Sequence, residues 1–145
     1  MITGLSHATV FVLDQDEAKA FYTDKLGFDV RADITMGEEL EGAGAGFRWL
    51  TVGPKDQPDV EMILSDCGMG RDPESAEQLR SLVARGAIGA GVLATDDCRR
   101  TFEELSAKGV VFLQEPAERP YGIEAVLRDD SGNMWSLTQP LADAG

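Results

Sequence analysis

The sequence is poor in the residues that carry most metal and nucleophilic chemistry. It has one histidine, His7, and two cysteines, Cys67 and Cys98, among 145 residues. A single histidine excludes a two-histidine, one-carboxylate metal triad within one chain. It also leaves a serine-hydrolase triad without support, since no G-x-S-x-G elbow accompanies it. Two cysteines are too few for a disulfide scaffold. The start, MITGLSHATVFVLDQ, lacks a basic segment followed by a long apolar run. Both features read as a reduced, cytoplasmic chain. No stretch approaches the roughly 20 apolar residues of a membrane span, so no membrane partner is expected. Basic residues are scarce as well, with 13 Lys and Arg against 26 Asp and Glu, a formal charge of −13. Nucleic acid is thereby excluded as a partner, because its phosphates would be repelled. The surplus acid serves solubility or forms an acidic cleft for a cationic ligand, and composition leaves both open.

What remains is a globular composition, 43% hydrophobic and 27% charged, enough for one domain or two small modules sharing a core. Ser6 to Leu13 predicts a strand rich in β-branched residues. Asp14 and the acids after it predict a helix start, and Gly27 a helix stop. Phe28, Val30, Ala32 and Ile34 alternate as in a half-buried strand. Residues 36–46, MGEELEGAGAG, read as a flexible loop or lid, with no lysine in P-loop register. GFRWLTVG and VEMILS predict two more strands. Asp72-Pro73 predicts the start of a connecting helix ending at Gly86.

The pattern then returns. Ala87 to Thr95 predicts a strand, Asp96-Asp97 a helix cap, Gly109 a stop and Val110 to Gln114 a strand. Gly122–Arg128 and Met134–Thr138 predict a hairpin around DDSGN. Asp14 aligns with Asp96 and Gly27 with Gly109, both 82 residues apart. Each half reads as strand, helix and three strands, an internal repeat. The implied division is a first module at 1–68, a connector at 69–86 and a second module at 87–145.

The stretches SHATVFVLDQDEAKAFYTDKLGF, TDDCRRTFEELSAKGVVFLQEP and RPYGIEAVLRDDSGN resemble the vicinal oxygen chelate superfamily of glyoxalases, bleomycin-resistance proteins and extradiol dioxygenases. That resemblance implies an α+β fold of two tandem βαβββ modules, with curved sheets around a pocket and a homodimer. It also implies a metal site in the enzymes, with a His near the start of strand one and a Glu on strand four binding Fe, Mn, Ni or Zn. His7 and Glu61 fit those positions in the first module. In the second, Gly89 or Ala90 stands for the histidine and Ser136 for the glutamate, so a full ligand set is not built from equivalent positions.

His7 and Glu61 therefore read as a base and its partner, an ion pair in a cavity, or half of a metal site. Phe47, Trp49, Tyr121 and Trp135 are candidate aromatic walls, with Glu124 and Ser136 as further ligand-binding candidates. Cys67 and Cys98 read as small partly buried residues. The expected function is small-molecule binding in a groove, with a cationic or aromatic ligand and no cofactor. The alternative is a metal-dependent enzyme of the glyoxalase-like lyase/isomerase or dioxygenase kind, built on His7 and Glu61.

Overall fold

The structure, a computed structural model, describes residues 1–36 and 47–142. Of the predicted loop, residues 37–46 lie outside the described part, and Met36 is instead the last residue of a strand. In the first half, strand β1 (His7–Val12) leads to Asp14, whose carboxylate accepts the Glu17 amide and caps helix α1 (Gln15–Ala20). The helix runs into a π-helical turn, Phe21–Lys25, and the chain reverses at Gly27 with φ +76°. Strands β2 (Asp29–Met36), β3 (Phe47–Gly53) and β4 (Glu61–Asp66) follow. The sheet order is β1-β4-β3-β2, with β1 and β4 parallel and the other pairs antiparallel. Alternation settles the faces. Val10, Val12, Leu50, Val52, Met62 and Leu64 are buried on the helix-covered side. His7, Trp49, Thr51, Glu61 and Ile63 take the other side.

Helix α2 (Pro73–Ala84), capped by Asp72, connects the halves. The second half repeats the plan with β5 (Gly89–Ala94), α3 (Cys98–Ala107), β6 (Val111–Arg119), β7 (Gly122–Arg128) and β8 (Met134–Pro140), in the order β5-β8-β7-β6. Ala125, Leu127, Trp135 and Leu137 face the helix side and join the first half's residues in one core. The molecule is thus α+β, with two curved four-stranded sheets. No helix among the described residues is long and apolar enough to cross a membrane.

Two details differ from the sequence-based expectation. Strand β6 runs on to Arg119 through Pro116, because the register shifts between Gln114 and Ala117 and a proline at a bulge removes no ladder bond. The helix caps are Asp14 and Asp97, 83 apart, whereas Gly27 and Gly109 are 82 apart. The first helical segment holds one extra residue, and the π turn absorbs it.

The hairpin turn before β8 ties the halves together. Asp129 is 2% exposed, and its Oδ1 accepts the amides of Ser131, Gly132 and Asn133. Its Oδ2 accepts the Tyr22 hydroxyl at 2.7 Å and Asn133 Nδ2 at 2.9 Å. Asn133 Nδ2 also donates to the Phe11 carbonyl, and Ser131 Oγ accepts the Leu13 amide. Trp135 Nε1 donates to the Tyr22 oxygen at 2.8 Å. A buried carboxylate costs several kcal/mol unless its lone pairs are filled, and these five donors fill them.

Candidate functional site

His7 begins β1 and Glu61 begins β4, and the parallel register sets them directly opposite. His7 Nε2 lies 3.5 Å from Glu61 Oε2, with both side chains about one-third exposed. That separation is long for a hydrogen bond but close enough for electrostatic coupling. Ser6 Oγ lies 3.0 Å from His7 Nδ1. Thr51, buried on β3 two residues after Trp49, donates its hydroxyl to Glu61 Oε1 at 2.7 Å. The Trp49 ring sits 5.7 Å from the imidazole at 51°. An indole, an imidazole and an anchored carboxylate therefore share one open face. Phe47 lies on the same side of β3, two residues from Trp49, and pairs with Met36 as Trp49 pairs with Ile34.

A second polar group occupies the open face of the other sheet. Glu124 accepts from Ser136 Oγ at 2.6 Å and from Tyr121 at 2.8 Å. These hydrogen bonds, Ser136 first, hold its carboxyl below the usual range. Trp135 is not part of either face. It is 5% exposed, packed on the helix side and bonded to Tyr22, so it is a core residue and not a pocket wall. Cys67 and Cys98 are fully buried, their thiols donating to the Val12 and Leu137 carbonyls, and burial pushes both pKa values up. They are inert structural residues. Sequence reasoning missed Thr51, Thr138 and Arg119, although alternation along FRWLTVG already put Thr51 on the face of Trp49.

The strand registers also revise the internal repeat. Val10 pairs with Leu64 and Leu93 with Leu137. The helix caps match Val10 to Leu93 and hence His7 to Ala90, while a bulge between Gly89 and Gly91 sets Gly89 opposite Met134. Thr9 pairs with Ile63 and Val92 with Ser136, which makes Ser136 the counterpart of Ile63. Glu61 corresponds to Met134 instead. Neither Ala90 nor Met134 is an oxygen or imidazole donor. His7 and Glu61 supply two ligand atoms, and zinc sites use three or four protein ligands. Among the described residues, no group of three or more His, Cys, Asp or Glu side chains gathers to hold a metal ion. The described residues alone therefore do not make up the enzymes' metal centre.

Two open cavities of about 780 and 590 Å³ lie elsewhere, where the Pro54–Gln57 turn approaches β5 and the segment after β8. None of their lining residues is His7, Glu61 or Glu124.

Paired βαβββ units, each with a four-stranded sheet and their helix sides joined in one core, define a protein of the vicinal oxygen chelate class. The chain belongs to the Glyoxalase/Bleomycin resistance protein/Dioxygenase superfamily, which it matches over residues 4–137. It is similar to the crystal structure of UcmS2, with 55% identity, a TM-score of 0.86, and 95% of this chain and 98% of that chain covered. It is also similar to TnmS3, an antibiotic binding protein from Streptomyces sp. CB03234, with 31% identity, a TM-score of 0.73, and coverage of 97% and 98%. The Bacillus subtilis protein YurT is 33% identical over 132 residues, 90% of this chain and 94% of its own length.

Proposed function

We propose that this protein binds a small aromatic molecule, antibiotic-like in class, on the open face formed by His7, Trp49, Thr51 and Glu61. The observation that carries this reading is the Trp49 ring beside His7, which itself lies 3.5 Å from a carboxylate already fixed by Thr51. The indole offers a flat apolar surface for stacking, and Glu61 offers an acceptor at its edge. The surrounding charge of −13 favours a ligand that is neutral or cationic. Similarity to an antibiotic binding protein across nearly the whole chain supports the same class. The protein acts as a cytoplasmic homodimer in this reading. Apolar side chains left exposed on both sheets, Ile34 and Val92 among them, support the dimer.

Tryptophan fluorescence tests this directly, because the two indoles differ. Trp49 borders the open face and Trp135 is sealed in the core. A planar aromatic cation such as 9-aminoacridine should quench the protein saturably, and Trp49→Phe should abolish the saturable part while Trp135 emission persists. Equal quenching of the Trp49→Phe protein would refute a site at this face.

The His7–Glu61 contact favours a second reading, a metal-dependent enzyme of the lyase/isomerase or dioxygenase kind. Elemental analysis of protein purified without added metal separates the two. Stoichiometric Fe, Mn, Ni or Zn that is lost in His7→Ala would overturn the binder in favour of the enzyme.

A further inference from the structure

The open face of the second sheet carries different chemistry at the positions equivalent to the aromatic wall. Thr51 pairs with Ile63, and Val126 pairs with Ser136, the counterpart of Ile63. Two residues earlier on each strand, Trp49 therefore corresponds to Glu124. Around Glu124 the hydroxyl directions are determined. Ser136 Oγ lies 2.6 Å from Glu124 Oε2 and 2.8 Å from Thr138 Oγ1. An ionised carboxylate only accepts, so Ser136 gives it its one proton, and the Ser136–Thr138 hydrogen must come from Thr138. Tyr121 gives its proton to Oε1 at 2.8 Å. Two hydroxyl protons thus go to the carboxylate and the third, from Thr138, to Ser136 Oγ, so none of the three is left for a ligand. What the array turns outward is lone pairs. Glu124 is 19% exposed, and the nearest cation, Arg119, stays 3.9 Å off and 41% exposed. An ion pair that long and that open to water neutralises little of the carboxylate.

Resting on the small-molecule reading above, we propose that Glu124, Ser136, Thr138 and Tyr121 form a subsite that selects a hydrogen-bond donor on the ligand. The group it takes is an ammonium or a hydroxyl, and it rejects carboxylates and phosphates. Two features of the array enforce this. A donor meets up to three acceptors already oriented and loses little hydration without replacement. An anionic acceptor meets lone pairs of its own kind at Glu124, Ser136, Thr138 and Tyr121, and repulsion from Glu124 opposes it there, leaving the exposed Arg119 at the edge as its donor.

The test uses the full chain, amide-resolved NMR, and four probes of one shape. Benzylamine and benzyl alcohol carry a donor, benzyltrimethylammonium carries charge without a donor, and benzoate carries neither donor nor positive charge. Benzylamine should shift the amides of Ile123, Glu124, Ser136 and Thr138 saturably. Benzyl alcohol should follow more weakly, benzyltrimethylammonium should bind at least about tenfold more weakly than benzylamine, and benzoate should leave these amides still. Glu124→Gln is nearly isosteric and puts N–H donors where only acceptors stood. It should weaken benzylamine about tenfold or more while the remaining spectrum keeps its dispersion. Benzoate binding as well as benzylamine, or benzylamine binding unchanged in Glu124→Gln, overturns the subsite. Saturable Trp49 quenching by 9-aminoacridine alongside motionless Ser136 and Thr138 amides sinks this proposal and leaves the binding function standing. Loss of both responses removes both.

Discussion

Trp49 and Trp135 occupy similar sequence surroundings and opposite sides of their sheets. The difference is parity. Trp135 alternates with Ser136, so the two cannot face the same way, and Leu137 on the Trp135 side marks that side as core. Counting both as pocket residues set the aromatic cue above the alternation that was legible in MWSLT. His7 and Glu61 were legible for the converse reason, since each lies on the face that its apolar neighbours leave free. What the sequence could not show is the partner that sequesters Trp135. Tyr22 stands 113 residues away, and its hydroxyl both accepts the indole proton and donates to Asp129. Tyr22→Phe should therefore strand a buried indole N–H and remove one donor from Asp129. The expected loss is about 1–3 kcal/mol, read as a fall of roughly 3–10 °C in Tm. A melt unchanged from wild type would mean that the network contributes no net stability.

At the level of elements, the repeat was readable in outline, with its register left open between Gly89 and Ala90. The cue was Gly27 and Gly109, which stop helices and keep a spacing of 82, but the caps are 83 apart. Composition carries no signal for a π turn, because the extra residue is paid out as a local widening of the helix and leaves the flanking strands unchanged. The same reasoning applies to β6, where the sequence predicts a strand ending at Gln114 and the strand runs on through a bulge at Pro116. The DDSGN turn was readable as a turn, but its glycine has a second duty. Gly132 has φ +123°, and a Cβ there would drive into the Val83 carbonyl oxygen at the end of α2. Gly132→Ala meets a left-handed backbone and a backbone clash together, neither of which a side-chain rotation relieves. A destabilisation of about 2–4 kcal/mol is expected by urea denaturation, whereas Gly70→Ala, at φ +72° with nothing within 4 Å, should cost about 1 kcal/mol. Equal costs at the two sites would show that close approach of α2 to the turn does not hold the hairpin.

Over the whole molecule the excess of acid shapes how stability varies with pH, and the carboxyls pull in two directions. Asp33, bonded to Arg48 and Lys19, and Asp72, bonded to the Ser75 amide, are held below their ordinary range, as Glu124 is by Ser136 and Tyr121. A carboxyl with a depressed folded pKa stabilises the fold above its unfolded value and loses that contribution as pH falls through the folded value. These three therefore contribute in full at neutral pH, and their contribution is lost only in acid, below the ordinary carboxylate range. Asp130 behaves oppositely. Burial, then the charge of Asp129 and, more weakly, of Glu17 and Asp14, raises it from 3.8 to about 6. Its Oδ1 is buried without a hydrogen-bond partner. Lys25 and Arg128 line the same small cavity, and the carboxyl is raised despite them. The folded state thus binds this proton more tightly than the unfolded chain does. Ionised Asp130 destabilises the fold fully above about pH 6, and the penalty is relieved as pH falls from there toward 3.8. Partial exposure to water limits the effect to about 1–2 kcal/mol. Thermal melts should accordingly show Tm rising by several degrees from pH 7.5 to about pH 5 before the paired carboxyls protonate and it falls. Asp130→Asn removes the titrating group and nearly keeps its shape. The variant should match or exceed wild type at pH 7.5, and the gap should close by pH 5. A wild-type Tm that is flat or falling over that interval, with Asp130→Asn parallel to it, would show that Asp130 is ionised without cost in the fold.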